Sequence, residues 1–307
     1  MLEQFHHSAL MYAGRDEFVA KCSAFLRAGI RAGEPGLVMV GPEKITALRD
    51  ALGEDAGGVC FADMTQAGRN PAWIIPKWRA FAEANQGRRM RGIGEPIWAE
   101  RTADELVECQ RHESLINHAF ADAVGFKLVC PYDTDALDAD VIHEAECSHP
   151  VLAAEGSEKA SDAYRGTEAC AAPHVAPLPE PGGTVNGMPF GVTMIDAVRR
   201  AVERHAARAG LQEMRRQDLV LAVNELATNS VRHGGGYGRL RLWTDDDHVV
   251  CEVRDRGAIA DPMAGRQLPF APQPHGYGLW LAHQVCDLVQ VRALPGGGVV
   301  RVHMSRA

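Results

Sequence analysis

Apolar positions follow two different patterns along the chain, and the change falls near its middle. Over the first 152 residues, short apolar runs at 9–12, 36–40, 59–62, 90–93 and 127–130 alternate with stretches of helical periodicity at 15–32, 42–53, 71–86 and 102–122. Compact apolar runs with little polar alternation read as strands covered on both faces. Alternation with helices of crossover length predicts a parallel α/β sheet with helices on both faces and right-handed connections. In such sheets ligands bind beyond the carboxyl ends of the strands.

The later pattern is different. Helices are predicted at 192–209 and 214–233, strands at 237–243 and 248–254, an irregular stretch at 257–275, a helix at 277–285, and strands at 287–294 and 298–304. Asp245-Asp246-Asp247 and Pro295-Gly296-Gly297-Gly298 supply turns between strands, so this part is expected to be α+β, with helices on one face of an antiparallel sheet. Between the two patterns, residues 153–187 are rich in Ala, Gly, Ser, Glu and Pro and are expected to form a flexible linker. The expected organisation is a domain at 4–152, a linker at 153–187 and a domain at 188–307.

A length of 307 residues accommodates two domains with separate cores, and 46% apolar with 23% charged residues places both among folded proteins. The net charge of -8 speaks against broad contact with a nucleic-acid backbone. Eight cysteines without a C-x-x-C pair, a start lacking a basic, apolar leader, and no run approaching the roughly 20 apolar residues of a membrane span together predict a cytoplasmic protein.

Candidate chemistry gathers in the C-terminal part. Glu225, Asn229 and His233 recur every four residues and project from one helix face. A carboxylate and a carboxamide so aligned suit hydroxyl activation and Mg²⁺ binding; taken alone, the segment reads more readily as an exposed polar stripe on an amphipathic helix. Asp255-Arg256-Gly257 ends a strand, where the Asp is able to accept from a purine amine and the Gly to let backbone approach a ring; an ordinary strand-ending turn is the alternative. Gly276 and Gly278 open the helix at 277–285, whose free N–H groups are suited to phosphate oxygens.

Glu225-x-x-x-Asn229-x-x-x-His233, Asp255-x-Gly257 and Gly276-x-Gly278-Leu279, in this order, resemble the motif boxes of the GHKL ATPase superfamily. Within it, residues 278–287 look most like bacterial anti-sigma regulatory factors of the serine-kinase type. The resemblance implies the Bergerat α+β sandwich, with ATP and Mg²⁺ as cofactors. It implies Glu225 as general base, Asn229 as metal ligand, and Asp255 as adenine reader. Gly257, Gly276 and Gly278 would be backbone contacts, with His233 and Leu279 completing the nucleotide-binding set. It also implies a sigma factor or a STAS-type anti-sigma-factor antagonist as partner. Two departures stand out: Gly298-Val299 replaces the Thr that many relatives carry near adenine, and 258–275 offers little basic charge to clamp a γ-phosphate.

In the N-terminal part, Gly36 to Lys44 lacks phosphate-loop spacing, and Pro42 removes an N–H from the cradle. Residues 6–12, 94–98 and 130–133, with Glu113, Asn117 and His149-Pro150, resemble the MEDS sensory domain, a RecA-like module that senses small organic molecules. The resemblance implies a pocket from His7, Tyr12, Glu95, Trp98, Tyr132 and Asp133; satisfied core and turn residues are an equally good reading of the same positions. His143 and Cys147 share a helical face but His149 points about 160° away from Cys147, so 143–149 reads as a helix end, not a metal site.

Together these features predict a signalling regulator in which a ligand-sensing domain is coupled to a Mg-ATP-dependent serine/threonine protein kinase acting on an antagonist, or sequestering a sigma factor. A non-catalytic nucleotide-gated binding module is the first alternative. A sensor histidine kinase is the second, disfavoured by the Pro-rich stretch where a phosphoacceptor hairpin should stand. A homodimer is expected only if the helix at 192–209 does not bury its apolar face on its own sheet.

Overall fold

The computed structural model describes residues 2–154, 157–172, 174–267 and 277–306. The chain forms two units, Met1–Ala171 and Ala172–Ala307.

Among the described residues, the first unit runs β1 (His6–Tyr12), α1 (Gly14–Arg31), β2 (Gly36–Val40), α2 (Pro42–Leu52), β3 (Val59–Asp63), α3 (Met64–Ala67) and α4 (Ile74–Ala84). It continues through β4 (Met90–Gly94), α5 (Ala103–Ala119), β5 (Phe126–Asp133), α6 (Ala139–Ser148), β6 (Val151–Ala154), β7 (Ser157–Ala160) and α7 (Thr167–Ala171). The strands form one sheet in the order β3-β2-β4-β5-β1-β6-β7, parallel except where β7 turns back on β6. The five apolar runs of the sequence are five of these strands.

Alternation along β1 splits its side chains between two faces. Leu10 and Tyr12 enter an apolar core with Phe18, Cys22 and Leu26 of α1 and Leu48 of α2. His7 faces the other way, towards Glu113 and Asn117 of α5. On β4, Gly92 and Gly94 leave room for the Trp78 indole of α4: a Cβ at either position would lie 2.8 or 2.9 Å from the ring. Glycine here is required by the close approach of an aromatic ring to the strand backbone. Helix α5 starts at a reciprocal capping box between Thr102 and Glu105, which satisfies two of the helix's orphan donors.

The second unit runs β8 (Asn186–Gly191), α8 (Ile195–Arg208), α9 (Glu213–His233), β9 (Tyr237–Thr244), β10 (His248–Asp255), α10 (Tyr277–Val285), β11 (Leu288–Leu294) and β12 (Gly297–Ser305). Its sheet has the order β11-β12-β10-β9-β8 and every pairing is antiparallel. Val198, Val202 and Ala206 of α8, Leu219, Val223 and Leu226 of α9, and Ala282 of α10 bury against Leu240, Val249, Cys251, Val253, Val302 and Met304 of the sheet. Helix α8 therefore covers its apolar stripe within its own unit.

The opposite sheet face carries charge. Glu252 is fully buried and meets Arg254 Nε at 2.6 Å, Arg241 Nη1 at 2.8 Å and Arg301 Nη2 at 2.7 Å. Burial raises the pKa of this carboxyl, but hydrogen bonds from Arg254 and Arg301 outweigh it, and the net shift is downward.

The stretch 153–187 is not the open linker expected from its composition. Its first half belongs to the first unit through β7 and α7, and the carbonyls of Cys170 and Ala171 accept from Arg111 at 2.9 and 3.3 Å. Its second half lies in the second unit. The His174 carbonyl accepts from Ala293 N–H at 2.9 Å, the Pro179 carbonyl accepts from Arg301 at 2.9 Å, and Glu180 pairs with Arg241 at 2.6 Å. Polar backbone and one carboxylate are satisfied there by partners that composition does not reveal. Strand β8 also lay outside the expected strands because Pro189 and two glycines disguise it, yet an edge strand tolerates proline. No helix among the described residues is long and apolar enough to cross a membrane.

Candidate functional site

Helix α9 brings Glu225 and Asn229 to the first turn of α10. A Cβ on Gly278 would lie 2.7 Å from Asn229 Nδ2 and 3.2 Å from Glu225 Cβ, so any side chain there displaces Asn229. The four-residue spacing of α9 stacks Glu225 and Asn229 on one face, and the missing side chain at Gly278 lets the start of α10 come against them. The N–H groups of such a first turn have no intrahelical partner and carry the positive end of the helix dipole.

The next residue, Ser230, is buried and donates a 2.6 Å hydrogen bond to Asp255 Oδ2. Asp255 Oδ1 accepts from the Gly257 N–H at 2.7 Å. Each oxygen keeps a further lone-pair site for an incoming donor such as an exocyclic amine. Glycines line this carboxylate as well. A Cβ on Gly234 would lie 2.4 Å from Asp255 Cγ, and one on Gly257 would lie 2.9 Å from the His233 carbonyl oxygen and 3.0 Å from Asp255 Oδ1. Gly297, at φ 130°, brings β12 against the Asp255 carbonyl so closely that any side chain would overlap it. Gly298 lies beside both Ile259 and Asp255 Oδ1.

The structure thus brings Glu225, Asn229 and Gly278 together, and Asp255 and Gly257 together, with α9 common to both groups through Ser230. His233 is exposed in the last turn of α9, with its backbone carbonyl against Gly257. Leu279 packs on the apolar core of the unit. Gly276 lies outside the described residues. Ser230, Gly234 and Gly298 were not among the candidates from sequence. The run Gly234-Gly235-Gly236 was the available signal for the second of them, since Gly235 and Gly236 adopt φ of 88° and 89°.

The donor set fits a magnesium nucleotide. The Asn229 and Glu225 side chains stand beside a helix start, and the hydrogen-bonded Asp255 carboxylate is lined by glycines. Asn229 would hold the metal, and Asp255 would receive the base.

The residues expected to share one N-terminal pocket lie in several places in the first unit. Tyr12, at the end of β1, donates to Glu95 Oε1 at 2.6 Å, and Lys44 Nζ reaches the same oxygen at 2.6 Å. Lys44 also lies over the Tyr12 and Phe18 rings, at 5.1 and 5.0 Å. Burial pushes the Glu95 carboxyl upward and Lys44 opposes it; burial, reinforced by Glu95, also raises the Tyr12 phenol. Asp133, half-buried, accepts from the Gly14 N–H at 3.3 Å and the Asp135 N–H at 3.1 Å, as a turn residue does. Trp98 stacks under the Arg101 guanidinium at 3.8 Å. His7 and Tyr132 are buried elsewhere, beside His149.

Residues 6–150 match the family model of MEDS, the methanogen/methylotroph DcmR sensory domain, and residues 189–304 match that of the histidine kinase-like ATPase domain. Among solved structures, that of the RsbU and RsbW domains of Rv1364c from Mycobacterium tuberculosis is similar at 19% identity, covering 40% of this chain and 33% of that one, with a TM-score of 0.30. No curated protein matches the chain.

Proposed function

We propose that this chain, a MEDS domain joined to a histidine kinase-like ATPase domain, is a signalling regulator that binds Mg-ATP in its second unit and phosphorylates a Ser or Thr of an antagonist protein. The observation that carries the proposal is the convergence of Glu225, Asn229 and Gly278 beside a Ser230-supported Asp255. Asp255 receives the adenine amine, and the first turn of α10 offers N–H groups to phosphate oxygens. Asn229 holds Mg²⁺, which neutralises phosphate charge. Glu225 accepts the proton of the acceptor hydroxyl and orients its oxygen for in-line attack. A STAS-type antagonist is the phosphate acceptor and a sigma factor the sequestered partner, and a small organic molecule at the first unit sets the output. A cytoplasmic location follows from these partners.

The experiment is transfer of labelled phosphate from ATP to an antagonist co-purified with the full chain. Glu225→Ala is expected to abolish transfer while nucleotide binding persists; undiminished transfer removes Glu225 from the chemistry.

A second reading is a nucleotide-gated partner trap without transfer. The feature in its favour is Arg266, the sole Arg or Lys between 258 and 275, which is buried at 6% exposure. Tight ATP binding with turnover equal to buffer would select this second reading. The histidine-kinase alternative loses ground because His205 of α8 is engaged with the Trp243 carbonyl at 3.0 Å. Acid-labile phosphate on the chain itself would restore it.

A further inference from the structure

Four donor side chains from four separate places in the first unit meet inside it. His7 comes from β1, Glu113 from α5, Cys130 from β5, and His149 from the residue that ends α6. All four are at most 1% exposed. One donor atom from each lies within 4.8 Å of every other. Glu113 Oε2 stands 3.3 Å from His7 Nε2 and 3.3 Å from His149 Nε2, and His7 Nε2 stands 3.3 Å from Cys130 Sγ. A tetrahedral zinc ion, with bonds of about 2.0–2.1 Å to N and O and about 2.3 Å to S, sets its donor atoms roughly 3.3–3.6 Å apart.

The surroundings orient both imidazoles for this task. The Asn117 amide donates to the Ser148 carbonyl at 2.8 Å, which turns its Oδ1 towards His7 Nδ1 at 3.1 Å. His149 Nδ1 lies 2.8 Å from the Ala145 carbonyl, which only accepts. Each Nδ1 therefore carries the proton, and each Nε2 turns a lone pair inward. Two imidazole lone pairs then face one carboxylate, and the donor placed among them is the weak Cys130 thiol, 3.3 Å from His7 Nε2. Among the described residues, neither Glu113 oxygen nor His149 Nε2 has a partner in hydrogen-bond geometry, although all are buried. Buried groups of this kind call for a cation at their common centre.

We propose that His7, Glu113, Cys130 and His149 bind one divalent transition-metal ion of the zinc class in a closed site. Two nitrogens, a sulfur and one carboxylate oxygen suit a borderline-soft ion and do not suit Mg²⁺ or Ca²⁺. With all four positions supplied by protein, the ion ties β1 and β5 to α5 and to the end of α6. It is independent of the nucleotide site in the second unit.

The test uses the full chain, purified without a polyhistidine tag, stripped with chelator and titrated with Co²⁺ and Zn²⁺. The expected result is about one equivalent bound, with a thiolate-to-cobalt charge-transfer band and a rise in Tm. Cys130→Ala is expected to lose the band, whereas Cys109→Ser, a buried thiol outside the quartet, keeps it. The band also separates this site from Asp245, His248 and His303 in the second unit, which offer no sulfur. If Cys130→Ala does not fold, the wild-type spectrum decides alone. A folded wild-type chain that binds less than about a tenth of an equivalent, or binds cobalt without the band, overturns the proposal, as does a band that survives in Cys130→Ala.

Discussion

Ser230 Oγ and Asp255 Oδ2 are joined by a 2.6 Å hydrogen bond that ties the Asn-bearing helix α9 to the end of β10. The bond fixes the rotamer of the carboxylate assigned to adenine. Ser230→Ala is expected to weaken ATP binding about fivefold, the equivalent of ~1 kcal/mol for one hydrogen bond, and Asp255→Asn about a hundredfold because it also reverses the acceptor pattern. Titration calorimetry on both variants, with far-UV circular dichroism as the folding control, checks the order. Equal affinity in all three proteins would detach Asp255 from the nucleotide.

Gly278→Ala places a methyl 2.7 Å from Asn229 Nδ2. The atom it meets is the end of a side chain, so Asn229 swings aside before the backbone yields. Stability is expected to fall by no more than about 1–2 kcal/mol, and Mg-ATP affinity by tenfold or more. Paired Tm and ATP-binding measurements separate the two; a large Tm loss at unchanged affinity would contradict the placement of Asn229.

Glu252 is buried among three guanidinium groups. Glu252→Gln removes the charge and is expected to cost about 3–5 kcal/mol. The native pKa is shifted below 4.5. Between the native and unfolded values the unfolded chain binds more protons, so stability falls as the medium is acidified. The contribution of Glu252 is therefore complete above about pH 4.5 and is lost as pH falls through the lower native value. Urea midpoints of wild type and Glu252→Gln should converge below that range; parallel curves down to full protonation would argue against it.

Gly92→Ala tests the packing of the first unit. The methyl would lie 2.8 Å from the Trp78 ring and 2.9 Å from Leu128 Cδ1, both held in the core. A loss of about 1–3 kcal/mol is expected, read from the Trp fluorescence transition, with ATP binding unaffected. An unchanged midpoint would mean that Trp78 does not lie on β4.

Local periodicity made most elements legible. Runs such as 36–40 and 127–130 lie within β2 and β5, and the repeat of Glu225 and Asn229 put both on one face of α9. What local spacing did not carry was partnership across the fold. Ser230 reads as an ordinary small helix residue until β10 brings Asp255 to it. Gly298 stands in sequence only where many relatives carry a Thr, and the fold sets it against Ile259 and Asp255 Oδ1. The quartet of His7, Glu113, Cys130 and His149 has no ligand spacing, because sheet order, not sequence, makes its members neighbours. His143 and Cys147 lie on α6, whereas His149 caps the helix in extended conformation and is buried. β8 and β7 escaped notice because neither carries an apolar run.

Titration of the full chain with Mg-ATP, beside Asp255→Asn, bears most directly on the second unit's role. Saturable heat at about one nucleotide per chain, lost in the variant, is the predicted result. A folded wild-type chain that gives no heat with Mg-ATP would contradict it.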